Sequence, residues 1–222
     1  MLKAVIFDMD GVLIDSECLY DRFISETLSS YGTEVPEVHL RSFYGVPSPE
    51  TWEELIKCYS PPLTVAEALA MEREFVDTMM YRGEISPMPH VFTLIKNLKD
   101  SGMKVAVASC NYRYRVSKLI EQHDKDGLID VSVCGDDVEI CKPAPDIFIL
   151  TSKLLDIPPE NCLVIEDAET GVIAAKAAGM KTALYIDTDS VRYGVYGADF
   201  LLHSFEGVTT EKLEKEFENL LD

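Results

Sequence analysis

The sequence predicts an α/β protein in which a parallel sheet carries helices on both faces and a helical insertion follows the first strand. Two observations predict this fold. From Glu84 onward, short apolar runs with β-favouring residues alternate with helical patterns. Between residues 14 and 82 the strand-like runs disappear and helical periodicity replaces them. A helical insertion at that point is expected to cover the carboxyl edge of the sheet, as a lid does.

The first predicted strand, Ala4–Phe7, is a continuous apolar run, which is typical of a strand buried on both faces of a parallel sheet. Further strand-like runs occur at residues 105–108, 131–134, 163–165, 182–185 and 200–202. Helical patterns occur at residues 91–98, 112–123, 147–155, 171–178 and 210–221. This alternation favours parallel strands joined by crossover helices.

Proline and glycine residues divide the insertion into about four predicted helices. Leu19, Phe23 and Leu28 lie roughly on one helical face. The stretch 66–80 is rich in Ala, Glu and Met, which favour helix. The insertion is therefore expected to be a small helical domain.

Charge and composition exclude several classes of partner. The 222 residues include 39 acidic and 20 basic side chains, which gives a net charge of −19. Such a chain repels nucleic acid and anionic membrane surfaces, so we expect neither as a partner. No apolar run approaches the roughly 18 residues that span a bilayer, and charge returns at Asp8 too early for a signal peptide. We expect a cytoplasmic protein, either a monomer or a weak homodimer.

The cysteines favour the same compartment. The six of them contain no C-x-x-C pair, so a zinc site is not expected. We therefore expect reduced thiols, as in most cytosolic proteins.

Two aspartates follow the first strand directly. Asp8 and Asp10 are one residue apart, so on an extended chain their side chains point the same way. Gly11 then allows the backbone to turn sharply. In open α/β sheets, ligands bind beyond the carboxyl ends of the strands. The alternative is that these acids only cap the next helix.

Other polar residues follow later strands. Ser109 follows residues 105–108, Lys142 lies in the loop after Cys134, and the acids Glu166 and Asp167 follow residues 163–165. Singly, each has an ordinary explanation as a helix cap or a solvated turn lysine. Together they predict one crevice at the carboxyl edge of the sheet, where a hydroxyl, a lysine and several carboxylates converge.

These residue types indicate phosphoryl chemistry. Clustered oxygen ligands without histidine or cysteine suit Mg²⁺. A lysine and a magnesium ion beside a carboxylate would bind a phosphoryl group, whose transfer depends on positioning and charge neutralisation. One aspartate can accept the phosphoryl group, and a second can protonate the leaving oxygen and then activate water.

Four ordered motifs resemble those of the haloacid dehalogenase superfamily, in the branch that contains β-phosphoglucomutase and sugar-phosphate phosphatases. They are Asp-Met-Asp-Gly-Val from Asp8, Ala-Ser ending at Ser109, Lys-Pro-Ala-Pro-Asp from Lys142, and Ile-Glu-Asp-Ala-Glu-Thr-Gly ending at Gly171. The resemblance implies a Rossmann-like core at residues 1–13 and 84–222 with an inserted small all-helical cap at 14–83.

The resemblance also implies a role for each site residue. Asp8 would be the nucleophile and a metal ligand, and Asp10 the general acid and base, with a carbonyl contact to Mg²⁺. The expected metal ligands also include Asp167, with Glu166 in either the inner or the second shell. The remaining implied contacts are phosphate binding by Ser109, Asn111 and Lys142, and substrate binding by a loop that contains Gly45 and Ser48.

Two departures from the family pattern bear on the activity. The resemblance places a histidine of the mutases at Tyr20, and an arginine that grips a second phosphate at Ser48. We therefore expect a Mg²⁺-dependent phosphatase that acts on a small sugar, sugar-acid or polyol phosphate. The alternatives are a β-phosphoglucomutase-like phosphomutase, which would need a cationic grip for the second phosphate, and a sugar-phosphate binder without turnover.

Overall fold

The computed structural model describes residues 1–43, 46, 48–186 and 196–219. The chain divides into two compact units, one formed by Met1–Ile14 with Ser86–Asp222 and the other by Asp15–Ile85. Among the described residues, no helix combines the length and the apolar character needed to cross a membrane.

A six-stranded, all-parallel sheet forms the centre of the first unit, in the order β3-β2-β1-β4-β5-β6. The strands are β1 (Ala4–Phe7), β2 (Lys104–Ser109), β3 (Val131–Cys134), β4 (Cys162–Glu166), β5 (Lys181–Tyr185) and β6 (Phe200–Leu202). After β3 the chain crosses back to the other side of β1, so the strand order reverses beside β1. The predicted α/β fold with a parallel sheet is confirmed, and this reversal is where such sheets bind ligands.

Helices of the first unit pack on the sheet through apolar faces. They are α5 (Val91–Asp100), α6 (Arg113–His123), α7 (Asp146–Leu155), α8 (Glu169–Ala177) and α9 (Thr210–Asn219). In α5 the buried residues Val91, Leu94, Ile95 and Leu98 recur with helical spacing, as the sequence predicts. Full burial of each such side chain contributes about 1.5–3 kcal/mol. The resulting core fixes the strand ends that carry the polar residues.

The second unit is helical, with α1 (Glu17–Ser30), α2 (Glu37–Leu40), α3 (Ser48–Tyr59) and α4 (Val65–Arg82). Its core contains Phe23, Leu28, Trp52 and Leu55. The indole Nε1 of Trp52 donates to the buried carboxylate of Glu72 over 2.9 Å, so both buried polar groups are paired. Thr64 and Glu67 form a capping box at the start of α4, and Gly83 ends the helix in the left-handed conformation.

Candidate active site

Neighbouring strands bring the predicted polar residues together at the carboxyl edge of the sheet. Because β1 lies between β2 and β4, Asp8 is placed between the ends that carry Ser109 and Glu166. The amide of Asp8 donates to the carbonyl of Ile165 over 3.0 Å, which continues the ladder into the site. Gly11 has a φ of +67°, so the backbone turns directly after the two aspartates.

Lys142 is the cation of this site. Its side chain is only 7% exposed and forms ion pairs with Asp8 and, over 2.7 Å, with the Oε1 atom of Glu166. The same ammonium donates to the carbonyl of Ala108 over 2.9 Å. A buried ammonium with three oxygen partners is held in place and satisfied in its hydrogen bonding. The ordinary explanation of a solvated turn lysine is therefore wrong for Lys142.

Burial changes the protonation of the acids. It raises the pKa of Asp8 to about 7, although the Lys142 ammonium acts to lower it. Burial likewise raises the pKa of Asp10, against a lowering by the Asn111 amide. Burial alone would lower the pKa of Lys142, but the charges of Asp8 and Glu166 outweigh it and the pKa rises. A further cation beside Asp8 would therefore favour its ionised form.

Three carboxylates could hold a metal ion. Ligand atoms of Asp8, Glu166 and Asp167 all lie within 4.8 Å of one another. Gly11 leaves the space that this cluster needs, since a Cβ there would lie 2.1 Å from the Oδ2 atom of Asp167. Oxygen donors without nitrogen or sulfur fit Mg²⁺.

Glu166 differs from the other two acids because both of its carboxylate oxygens have protein partners. Oε1 accepts from Lys142. Oε2 accepts from the backbone amides of Asp167 and Ala168, each over 3.0 Å. Its side chain is 1% exposed. Glu166 therefore braces Lys142 and the start of α8, and it offers no unpaired oxygen in this arrangement.

Gly171 makes room for Glu166. A Cβ at position 171 would lie 1.8 Å from the Oε1 atom of Glu166. In an ordinary helix, replacing glycine by alanine stabilises the helix by roughly 0.8–1.0 kcal/mol. Gly171→Ala is expected to do the reverse, lowering the unfolding temperature and turnover together, because Glu166 must move away from Lys142. An unfolding temperature at or above that of the wild type, with full turnover, would contradict this packing.

Asn111 joins Asp10 to Ser109. Its Nδ2 atom donates to the Oδ2 atom of Asp10 and lies 3.3 Å from the Oγ atom of Ser109. Its backbone amide also donates to that Oγ over 3.2 Å. On α6, Arg115 donates to the Oδ1 atom of Asn111 over 3.4 Å, and it acts to lower the pKa of Asp10. Arg115 is not among the predicted site residues; the signal that the sequence offers is its position near the start of the predicted helix 112–123, four residues after Asn111.

The two predicted substrate-binding residues belong to the other unit. Ser48 begins α3 and is half-buried. Gly45 lies outside the described residues. The structure therefore assembles the predicted residues of the sheet edge and leaves the substrate loop as a prediction.

One expectation about the cysteines is wrong. Cys110 and Cys141 form a disulfide, with their Cα atoms 5.9 Å apart. The other four cysteines remain outside any disulfide: Cys18, Cys58, Cys134 and Cys162. The pairing joins loops that are adjacent only because β2 and β3 are neighbours in the sheet, so no spacing rule in the sequence could reveal it.

Comparisons with known proteins agree with the fold and show the family. Residues 5–185 match the family model of the haloacid dehalogenase-like hydrolases. Protein CbbY of Cereibacter sphaeroides is 32% identical over 215 residues, which cover 92% of this chain and 93% of that protein. The phosphorylated carbohydrates phosphatase of Thermotoga maritima is 32% identical over 183 residues, which cover 81% of this chain and 83% of that protein.

A solved structure extends the similarity to three dimensions. The crystal structure of CbbY from Rhodobacter sphaeroides in complex with phosphate has a TM-score of 0.73 and 29% identity, covering 96% of this chain and 100% of that chain. The family model and the relatives together show that the chain belongs to the haloacid dehalogenase-like hydrolases and is an enzyme of the phosphatase type within that family.

Proposed function

We propose that the enzyme is a Mg²⁺-dependent phosphatase that cleaves small sugar, sugar-acid or polyol phosphates through an aspartyl-phosphate. The observation that supports this most strongly is the buried Lys142 ammonium, which bridges Asp8 and Glu166 at the reversal of strand order. A lysine held against a carboxylate at this position provides both an anion site and a nucleophile.

Asp8 is the proposed nucleophile. One of its carboxylate oxygens pairs with Lys142, which leaves the other to attack phosphorus. Lys142 offsets the negative charge that would otherwise repel a phosphate ester. Asp10, one residue further on, protonates the oxygen of the leaving alcohol and then takes a proton from the water that hydrolyses the aspartyl-phosphate. The hydrogen bond from Asn111 holds the Asp10 carboxyl in one orientation.

The proposed metal ligands are the carboxylates of Asp8 and Asp167 with the backbone carbonyl of Asp10. Glu166 supports this site without contacting the ion, because both of its oxygens are already paired within the protein. Mg²⁺ bound there would neutralise charge on the phosphoryl group and favour the ionised form of Asp8.

Ser109, Asn111 and Lys142 are the proposed phosphate-binding residues. The Ser109 hydroxyl and the Asn111 amide lie 3.3 Å apart at the end of β2, and the Lys142 ammonium bonds the carbonyl of Ala108 in the same strand. These are donors suited to phosphoryl oxygens. In this structure the Asn111 side chain donates to Asp10 and Ser109, and Lys142 donates to Asp8.

The substrate class rests on the relatives and on charge. One relative is named a phosphorylated carbohydrates phosphatase, and the net charge of −19 disfavours nucleic acid. We further propose that the helical unit is the cap and that Gly45 and Ser48 contact the substrate. No arginine occurs between Gly45 and Pro49 to hold a second phosphate, which favours hydrolysis over a mutase reaction.

A turnover screen tests this proposal. Purified enzyme is assayed with phosphorylated sugars, polyols and sugar acids, and both inorganic phosphate and isomerised sugar phosphate are measured. We expect phosphate release with Mg²⁺, loss of activity with a chelator, recovery when Mg²⁺ is returned, and little activity with Ca²⁺, whose looser coordination misplaces the reacting groups. Isomerised product without free phosphate would establish a phosphomutase instead. Full activity after chelation would contradict the metal assignment.

A further inference from the structure

The disulfide lies within the catalytic motifs. Cys110 directly follows Ser109, and Cys141 directly precedes Lys142. The bond thus joins the loop that follows Ser109 at the end of β2 to the loop that contains Lys142, so it lies beside all three proposed phosphate-binding residues. Cys18 and Cys58, the exposed cysteines of the helical unit, form no disulfide, so the bond lies at the active-site loops.

Two links hold these loops together on either side of Ser109. On one side, the Lys142 ammonium donates to the carbonyl of Ala108 over 2.9 Å. On the other side, the disulfide joins Cys110 to Cys141. Breaking the disulfide would leave the first link and remove the second. The segment that contains the Ser109 hydroxyl and the Asn111 amide would then be less restrained relative to Lys142.

A backbone contact at the end of β3 limits how far the loop after β2, which contains Cys110 and Asn111, can move toward β3. The amide of Gly135 donates to the carbonyl of Asn111 over 3.0 Å. A Cβ at Gly135 would lie 2.5 Å from the carbonyl oxygen of Cys110. The loop is therefore packed against β3 and tied by the disulfide to the loop that contains Lys142. Loss of the disulfide is expected to shift the loop locally, without unfolding it.

We propose that Cys110 and Cys141 are a reversible thiol–disulfide modification site that sets the affinity of the enzyme for phosphoryl groups. The disulfide form holds the two loops in the binding arrangement, and the dithiol form binds phosphate more weakly. The reactants are a dithiol reductant in one direction and a low-molecular-weight or protein disulfide in the other. This inference rests on the proposed phosphatase function for its effect on turnover, but the cysteine chemistry itself does not.

Reduction of the disulfide takes place in two exchange steps. A thiolate of the reductant attacks the sulfur of Cys110, which is an exposed residue. The sulfur–sulfur bond breaks, and Cys141 leaves as a thiolate that takes a proton. The second thiol of the reductant then displaces Cys110 and closes the disulfide of the reductant. Two electrons and two protons pass to the enzyme. An oxidising disulfide reverses both steps and is itself reduced to two thiols.

The expected effect is on binding more than on the chemical step. The Lys142 ammonium is expected to keep its contacts with Asp8, Glu166 and Ala108 without the disulfide. An aryl phosphate also needs little protonation by Asp10, so kcat with that substrate should change little. Weaker contacts from Ser109 and Asn111 should raise both KM and the inhibition constant for inorganic phosphate by about 3- to 10-fold, the range that weakening one hydrogen bond produces.

The test compares enzyme oxidised with glutathione disulfide to enzyme reduced with dithiothreitol, in Mg²⁺ throughout. Alkylation followed by mass spectrometry counts the thiols and locates the protected pair. Turnover of p-nitrophenyl phosphate gives KM and kcat, and inorganic phosphate serves both as inhibitor and as a binding probe in thermal unfolding. The double variant Cys110→Ser/Cys141→Ser is measured beside the control Cys18→Ser/Cys58→Ser, whose cysteines lie in the helical unit.

Four results are expected together. Oxidised enzyme should protect Cys110 and Cys141 from alkylation, reduction should raise KM and weaken phosphate binding, the Cys110→Ser/Cys141→Ser variant should resemble reduced enzyme and ignore the reductant, and the control should respond as the wild type does. Failure of the pair to form with glutathione disulfide, or equal phosphate binding in the two forms, would overturn the inference. If the double variant does not fold, the two redox forms of the wild type still decide.

The two proposals fail in different ways. If no phosphate ester is turned over in either redox form, the proposed function is wrong. The alkylation pattern and the unfolding shift with inorganic phosphate still report on the disulfide in that case. If turnover is present but indifferent to the redox state, the function stands and the inference is wrong.

Discussion

Asp8→Asn is expected to abolish turnover, with kcat lowered by at least about 10⁴-fold, because an amide is a poor nucleophile and a weaker magnesium ligand. Asparagine is nearly isosteric with aspartate, and its amide oxygen can still accept from Lys142. The site should therefore remain packed while the chemical step is lost. Initial rates of phosphate release from the best substrate of the screen measure the effect.

A surface variant provides the matched control. Asp100 at the end of α5 has a side chain that is 66% exposed, and it forms an ion pair with Lys96, one helical turn earlier, at 3.4 Å. Asp100→Asn should leave turnover at the wild-type level, since such pairs contribute little. Both variants should show the wild-type circular dichroism spectrum and a cooperative unfolding transition. Substantial turnover by a folded Asp8→Asn enzyme would remove Asp8 from its proposed role.

Asp10→Asn is expected to lower kcat by about 10²–10⁴-fold, the range for loss of a general acid–base group. The variant keeps the backbone carbonyl proposed to contact the metal. Its amide oxygen can also accept from Asn111, as the Asp10 carboxylate does. Binding of Mg²⁺ and substrate should therefore stay close to that of the wild type, and only proton transfer should fail.

The leaving group distinguishes this role from a merely structural one. An aryl phosphate releases a stable phenolate that needs little protonation, so formation of the aspartyl-phosphate by Asp10→Asn should be least impaired with this substrate. A sugar phosphate releases a basic alkoxide, and the loss should be largest there. Single-turnover rates with both substrates give the comparison. Equal losses on the two would mean that Asp10 is not the leaving-group acid.

Much of the fold could be predicted because the sheet is buried on both faces. The run Ala4–Phe7 has no polar residue, and the structure buries every one of its side chains. The strand predicted at 105–108 is longer in the structure, where it covers Lys104–Ser109. Lys104 pairs with β1 and Ser109 pairs with β3, and the apolar pattern marks neither residue. Such ends depend on neighbouring strands, which a local pattern does not contain.

The residues that form the site could be predicted from the sequence, but the contacts between them could not. The resemblance implies that Glu166 lies at the expected metal site. Whether Glu166 would bind the ion directly depends on its contact with Lys142 and on the space that Gly171 leaves. Asn111 was expected to contact the phosphoryl group, and the structure shows its bond to Asp10. The disulfide between Cys110 and Cys141 was missed because it depends on the packing of two loops 31 residues apart in sequence.

Chemical trapping of the covalent intermediate tests the central claim most directly. Asp10→Asn enzyme is mixed with an aryl phosphate and Mg²⁺, quenched with acid during the first turnover, and treated with borohydride, which reduces an acyl phosphate to an alcohol. Because this variant lacks the base for hydrolysis, the intermediate should accumulate. Peptide sequencing by mass spectrometry should then find homoserine at position 8 only. Release of the phenol without homoserine at position 8, or homoserine at another acid, would contradict an aspartyl-phosphate at Asp8.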